Sequence, residues 1–438
     1  MFGSLSTSRR RSAGMGRALP LHRVVTPLWL LAVVSLFCFV LTLALTSAAA
    51  AVFILIWTLV AVSRPGRAMA ALLRTPWPWV LPLFAAASVV WSVDPLDTGR
   101  HAAQLLVTTG IALVIVETLD ARSFVSAYMC ALLLACVISV AVGGTSVIYN
   151  TGDVALLGVF GSKNEFSTVT SFALICSAGV LMDSQQPTWL RCVGAFGLAL
   201  CPPLLWAGRS VGALVGDAVV LTTFAGLLAI SSFDRTTRSI IVAGLCVLAA
   251  VAVVLSALAV TGQGASGLLT AVGKNSTLTG RTFLWFRADQ LIRVHPFGGF
   301  GYQAFWVREN PEAEGLWRSM KIASRSGFHF HNLFYETKIE LGYTGLAILL
   351  GTIAATAAVA VRRLSAAWDV ASILFVALLL FFALRFYFEV DLLFPFAQGT
   401  FLFVVIWGYS TKPVPRRAAA ASRRPGLYSP NAPGLTRC

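Results

Sequence analysis

The chain of 438 residues is 57% hydrophobic and only 12% charged, about half the charge of an ordinary soluble domain. That is too little to cover a water-soluble globule of this size, so a cytosolic enzyme, a disordered chain and a collagen-like repeat are all excluded. The formal net charge of +15 would suit a nucleic-acid binder, but the arginines are placed differently. Arg9, Arg10, Arg11, Arg17 and Arg23 precede the first apolar run, and Arg416, Arg417, Arg423, Arg424 and Arg437 follow the last. Basic tails beside apolar spans are the positive-inside signal and attract anionic headgroups, so membrane lipid is the expected partner and nucleic acid is not.

A membrane-crossing helix needs about 20 predominantly apolar residues. That criterion predicts twelve, at 27–45, 47–62, 76–92, 102–118, 124–142, 166–182, 192–207, 211–230, 240–260, 342–361, 369–388 and 393–410. The weakest divisions are at Thr46–Ser47 and at Gly208–Arg209–Ser210. The expected fold class is an all-α polytopic membrane protein. Its segments are a basic cytoplasmic tail (1–26), spans 1–9 (27–260), an exoplasmic, periplasmic loop (261–341), spans 10–12 (342–410) and a second basic cytoplasmic tail (411–438). With both termini inside, 20 Lys and Arg fall on inner segments, and only Arg100, Lys163 and Arg209 fall on short outer ones. That bias sets orientation, whereas long loops contribute little to it. The expected location is the bacterial cytoplasmic (inner) membrane. The eight cysteines contain no CxxC and none lies in the long loop, so neither a disulfide framework nor a zinc site is expected.

Two outer regions stand apart. The first, 143–165, is rich in Gly, Ser, Thr and Asn. The second is the long loop, which carries Arg281, Arg287, Arg293, His295, Arg308, Arg318, Lys321, Arg325, His329, His331 and Lys338. Within it, 281–294 reads as an amphipathic helix with an apolar stripe of Leu284, Ala288, Leu291 and Ile292. Arg287, Gln290 and Arg293 lie on another face. An interfacial helix with snorkelling arginines would have the same pattern. His295–Pro296 and Gly298, Gly299 and Gly301 break the helix and allow tight turns or close approach to a ligand. From His331 helical spacing resumes, with His331, Tyr335 and Lys338 on one face and Asn332 and Glu336 on its neighbour. A solvated stripe would look alike, but a histidine among hydrogen-bonding partners suits proton transfer at neutral pH.

Within the spans Asp217 and Arg385 are costly charges that face a bundle interior or polar cavity. An Asp217–Arg385 pair and a local Arg385–Glu389 pair are both open. With Arg209, these residues imply a cationic pocket at the outer membrane face. Guanidinium groups there suit a pyrophosphate headgroup, which they bind bidentately and whose departing charge they stabilise. Glu389–Val390–Asp391 is the only outer acidic couple with suggestive spacing. Two carboxylates are a weak metal signal, so no metal or other cofactor is expected.

Several short stretches then point to a family. They are Trp91–Ser92–Val93–Asp94–Pro95, Gly158–Val159–Phe160–Gly161–Ser162–Lys163–Asn164, Arg209–Ser210, and Gly280–Arg281 with Trp285. The set continues with His295–Pro296 followed by Gly299 and Gly301, His331–Asn332, Glu340–Leu341–Gly342 and Gly345–Leu346. In this order, across roughly 88–350, the chain resembles the O-antigen ligase and polysaccharide polymerase superfamily, with the Phe160–Asn164 stretch nearer the exopolysaccharide polymerase branch. The resemblance implies a GT-C-like helical fold and inverting glycosyl transfer from an undecaprenyl-diphosphate-linked glycan donor to a glycan or lipid acceptor. Other polysaccharide-assembly proteins are further implied partners. On matching positions Arg209 and Arg281 would hold the diphosphate and His331 would engage the acceptor hydroxyl, with His329 as its competitor. Lys163, Asn164, Arg287, Asn332, Tyr335 and Arg385 are the further candidate substrate-binding residues. Polymerase and ligase remain open. A transporter of twelve spans is the alternative from another class, against which stand the absence of an internal repeat and of midplane polar chemistry.

Overall fold

The computed structural model describes residues 25–147, 152–234, 236–238, 240, 241, 244, 280–325 and 327–413. The expected span at 240–260 lies almost entirely outside these residues, as do nearly all of both basic tails and residues 261–279 of the long loop. α1 (Pro27–Val40) and α2 (Thr42–Ser63) lead into a short α3 (Pro65–Leu73), bent from α2 by 108°. α4 (Val80–Ala87), α5 (Pro95–Thr118) and α6 (Ala121–Val142) follow. An antiparallel ribbon of β1 (Thr145–Val147) and β2 (Val154–Leu156) comes next. Then come α7 (Lys163–Met182), α8 (Thr188–Ala207) and α9 (Val211–Ile230), the short α10 (Arg281–Ile292) and α11 (Pro311–Ser319), and finally α12 (Leu333–Ala366), α13 (Val370–Arg385) and α14 (Gln398–Thr411).

Many of these helices begin where a side chain takes up a free backbone N–H. Thr26 caps α1, Asp94 caps α5, Asp120 caps α6 and Asp369 caps α13. Proline follows the cap in α1 and α5, where its missing N–H costs nothing.

By length and composition α5, α6, α7, α8, α9 and α12 could each cross a membrane, and the bent α2–α3 pair would make a seventh. The protein is therefore a helical, multi-pass membrane protein, but the twelve expected spans are not met one for one among the described residues. α1, the Trp77–Val90 stretch and α13 are apolar but shorter. The turn expected at Thr46–Ser47 falls at Leu41. α13 stops at Arg385, where its guanidinium meets Asp391 at 2.7 Å. The chain then runs without helix through Leu393 (φ 94°) and Phe396 (φ 53°), so α14 starts at Gln398 and not at 393. The two-stranded ribbon also departs from an all-α fold.

α7 is the central helix. Of its apolar window 83% is buried, against 28% for α9 and 22% for α12. It packs closely on α8: a Cβ on Gly197 would lie 2.1 Å from Ser177 Oγ. In lipid no hydrophobic gain accompanies helix pairing, so close small-residue contact supplies the dispersion that holds two helices together. The polar first turn of α7 is thus fixed by a rigid element.

Residues 280–341 fold over one end of the bundle around a second core of Leu284, Trp285, Phe305, Trp317 and Phe330. The stripe of Leu284, Ala288, Leu291 and Ile292 faces that core, whereas an interfacial helix would turn it to lipid. This cap is joined to the bundle by Phe300 N–H to Ile339 O (2.8 Å), Gly301 N–H to Glu340 O (2.9 Å), Tyr343 N–H to Pro296 O (2.7 Å) and Val93 N–H to Phe300 O (2.9 Å). The joins require a break in α12 at Gly342 (φ 66°, ψ −169°), where a Cβ would lie 2.2 Å from Phe297 O. Only glycine adopts that backbone without strain.

Candidate functional site

Four segments converge beneath the cap. The first is Phe328–His331, whose residues alternate. Phe330 is fully buried, its N–H donates to Glu336 Oε2 at 2.7 Å, and its carbonyl accepts from Trp285 Nε1 at 2.9 Å. In an extended segment neighbouring side chains point to opposite sides. Phe328 and Phe330 pack on Trp306, and His329 and His331 come together with their rings 4.2 Å apart, the His331 ring edge-on to Phe328 at 5.7 Å.

His331 has φ 51° and precedes α12, which starts at Leu333 with Asn332 as its cap. The expected helical face of His331, Tyr335 and Lys338 is therefore not formed. Asn332 Oδ1 accepts from Phe334 and Tyr335 N–H, which outcompetes helix at that position. Asn332 Nδ2 donates to Tyr387 O at 3.2 Å, and Leu333 N–H donates to Phe386 O at 2.9 Å. These bonds bring the second segment, the chain after α13, against His331.

That second segment supplies Glu389, on which the others close. The third segment, the start of α10, places Arg281 Nη2 3.2 Å from Glu389 Oε1. The fourth, the first turn of α7, places Asn164 Nδ2 3.0 Å from the same oxygen. Glu389 Oε2 lies 3.6 Å from His331 Nδ1. Burial would push the Glu389 carboxyl up, but His331, Arg385 and His329 around it outweigh burial and hold it at about 2. His329 is pulled down to about 3 by burial first and then by the neighbouring His331. Glu389 is thus an anion and His329 a neutral acceptor, whose Nδ1 takes the His331 N–H at 3.0 Å.

Behind this cluster Arg385 is clamped by Asp391 (2.7 and 2.9 Å) and donates to Thr168 Oγ1 at 2.8 Å. Asp217 accepts from Ser171 Oγ at 2.7 Å. Neither of the pairings open for Arg385, with Asp217 or with Glu389, is the one formed.

Arg209 (φ 51°) pairs with Asp153 beside β2 at 3.5 Å and not with Glu389. Its neighbour Gly208 abuts Phe166 and Ser167 of α7, so Arg209 stands against the turn that carries Asn164. Lys163 is the first residue of that helix. Arg287 pairs with Glu312 at 2.7 Å, and Tyr335 OH meets Asp289 at 3.3 Å while its ring stacks on Trp285. Both lie on the cap, and neither pairs with Glu389.

Donor atoms of His329, His331 and Glu389 lie within 4.8 Å of one another, the spacing of a three-ligand cation site. Arg281 on the same carboxylate opposes a dication there. The arrangement instead brings together a guanidinium suited to phosphate oxygens, an imidazole suited to proton transfer and a carboxylate between them. Glu389 is absent from the expected site residues. It lies far along the chain from residues 164, 281 and 331, and no spacing rule links it to them.

A polytopic helical bundle with a polar site of paired arginines, carboxylates and histidines under a folded cap is the class these features define. Residues 154–350 match the O-antigen ligase family. The chain is 32% identical over 354 residues, 80% of each chain, to the exopolysaccharide production protein ExoQ of Rhizobium meliloti (strain 1021). It belongs to the O-antigen ligase family.

Proposed function

We propose that the protein is a metal-independent, inverting glycosyltransferase of the bacterial inner membrane. It polymerises undecaprenyl-diphosphate-linked oligosaccharide repeat units into a surface polysaccharide. The observation that carries this reading is the meeting of Arg281 and His331 on one half-buried carboxylate. Arg281, with Arg209 across the α7 turn, takes the charge of the departing diphosphate. His331, with His329 beside it, accepts the proton of the attacking sugar hydroxyl. Lys163 and Asn164 line the donor side, and Arg385, clamped by Asp391 and bonded to Thr168, ties the floor to α7. Asn332, whose Oδ1 caps α12 and whose Nδ2 holds Tyr387 O, acts through the placement of His331. Arg287 and Tyr335 are positioned for glycan beyond the reacting atoms.

A second observation supports a lipid-linked donor. A narrow apolar groove runs between α4, α5, α12 and α14, lined by residues such as Leu105, Leu349, Phe403 and Trp407, and reaches Leu392 and Leu393. The next residue, Phe394, stands 5.9 Å from the His329 ring. A polyprenyl tail in this groove would bring its diphosphate to the site. The charge bias of the sequence supports both termini in the cytoplasm and the cap outside.

The relative's role in exopolysaccharide production favours the polymerase. The family description favours a ligase that passes a finished glycan to lipid A core or another acceptor. Purified protein given a lipid-linked repeat unit, a chelator and no other acceptor should yield a ladder of longer lipid-linked chains. Transfer only after a lipid acceptor is added would make it a ligase. Silence under both conditions, with donor shown to bind, would reject glycosyl transfer.

A further inference from the structure

Glu389 lies outside the family match at residues 154–350, and its two oxygens are used differently. Oε1 accepts from Arg281 and Asn164. Oε2 faces His331 Nδ1, a buried atom with no hydrogen-bond partner. The backbone of His331 is fixed by its N–H bond to His329 Nδ1 in the left-handed region, and its ring lies against those of Phe328 and His329. With Nδ1 aimed at Glu389, Nε2 is the nitrogen left to meet a ligand. Among the described residues no other carboxylate comes within ion-pair reach of His331. The neighbouring Asp391 is clamped to Arg385.

We propose that Glu389 is the positioning residue of His331, accepting its Nδ1–H so that Nε2 serves as the base, and supporting the imidazolium formed during transfer. This rests on the glycosyl-transfer reading above. In the step, the acceptor hydroxyl gives its proton to Nε2 while its oxygen bonds to the anomeric carbon. The bond from that carbon to the diphosphate oxygen breaks, and its electron pair leaves with the diphosphate. Nδ1–H stays on His331 and bonds to Glu389, which remains ionised, as a carboxylate does behind an imidazole in other transfer enzymes. The separation of 3.6 Å is long for a hydrogen bond, but such contacts are often long without substrate and tighten when it binds.

The rival role for Glu389 is a brace for Arg281 alone, and a pair of measurements on the full-length protein separates the two. Glu389→Gln keeps an oxygen acceptor for Arg281 and Asn164, so it should fold, as a thermal midpoint near wild type would verify. Its kcat should fall about 100-fold with the donor KM within about threefold of wild type. The double variant with His331→Ala should be no slower than His331→Ala alone, because the two residues act as one unit. Losses that multiply, or a Glu389→Gln enzyme with full kcat, would overturn the proposal.

The second measurement needs no turnover. The chain has only five histidines, so ¹⁵N-histidine NMR can assign His331 by its disappearance in His331→Ala. Neutral His331 should be the Nδ1–H tautomer in wild type and shift toward Nε2–H in Glu389→Ala. An unchanged tautomer would refute the pairing even if the protein transfers glycans. A Glu389-dependent tautomer in a protein that transfers nothing would uphold the pairing and reject only the reading of function.

Discussion

Phe328, His329, Phe330 and His331 show how two histidines come to share a site: the phenyl rings are the anchor and the imidazoles are what the anchor displays. Arg281 tests the other half of the chemistry. Arg281→Lys keeps the charge but loses the planar fork, so kcat/KM for the lipid-linked donor should fall at least tenfold, about 1.4 kcal/mol or more. Equal activity in wild type and variant would remove Arg281 from the donor site. His329 has a consequence for stability. Its folded value of about 3 lies below the ordinary 6.5, so between those values the unfolded chain binds a proton that the folded chain does not. Stability contributed by neutral His329 is therefore complete above pH 6.5 and lost as pH falls toward 3. The thermal midpoint in detergent should drop between pH 7 and 4.5, and His329→Asn, which retains an acceptor near the Nδ1 position, should flatten that drop. Arg281 and His331 were legible in the sequence through short motifs. Their meeting point was not, because Glu389 lies in the segment after α13, which apolar length had read as a short connector between spans 369–388 and 393–410.

At the scale of elements, the start of α12 decides where the site sits. Helical spacing from His331 onward was a fair reading of the residues, yet the alternating aromatic–histidine run carries a competing period of two, and Asn332 resolves the competition as a cap. Glu336, expected to accompany Asn332 in a polar stripe, is instead fully buried, and its carboxylate accepts from Trp306 Nε1 at 2.9 Å and Phe330 N–H. Trp306→Phe would strip one buried carboxylate oxygen of its donor and should cost about 1–3 kcal/mol, read as a lower thermal midpoint with the cap loosened first. The break at Gly342 is stricter. Gly342→Ala meets both a backbone region closed to other residues and Phe297 O at 2.2 Å. It should destabilise by about 1–3 kcal/mol from the backbone alone, with the clash added to that, seen as lost thermal stability and lost transfer together.

For the whole molecule, composition alone identified a helical membrane protein, but span counting did not reproduce the helices. A window of apolar residues measures what lipid tolerates and not where a helix is interrupted, and the bundle interrupts its helices around the polar site, at Arg385 and again at Gly342. The orientation is open to direct measurement. Gly315 sits on α11 with nothing within 4 Å of an added Cβ, so Gly315→Cys should react with an impermeant maleimide applied from outside intact spheroplasts. Cys192, the exposed native thiol among those described, starts α8 at the opposite end and should not. The reverse pattern would invert the topology. Under the proposed function, the line of backbone bonds that fastens residues 296–301 to 339–343 and to Val93 would set the route by which the substrate travels. A roof sewn along a seam does not swing like a lid, so amides at Phe300, Gly301 and Tyr343 should be among the last in the cap to exchange with deuterium. A lipid-borne glycan would then dock and depart sideways through the walls, within the plane of the bilayer. If the protein polymerises glycans as proposed, product length on that route would follow from the competition between one more addition and lateral escape.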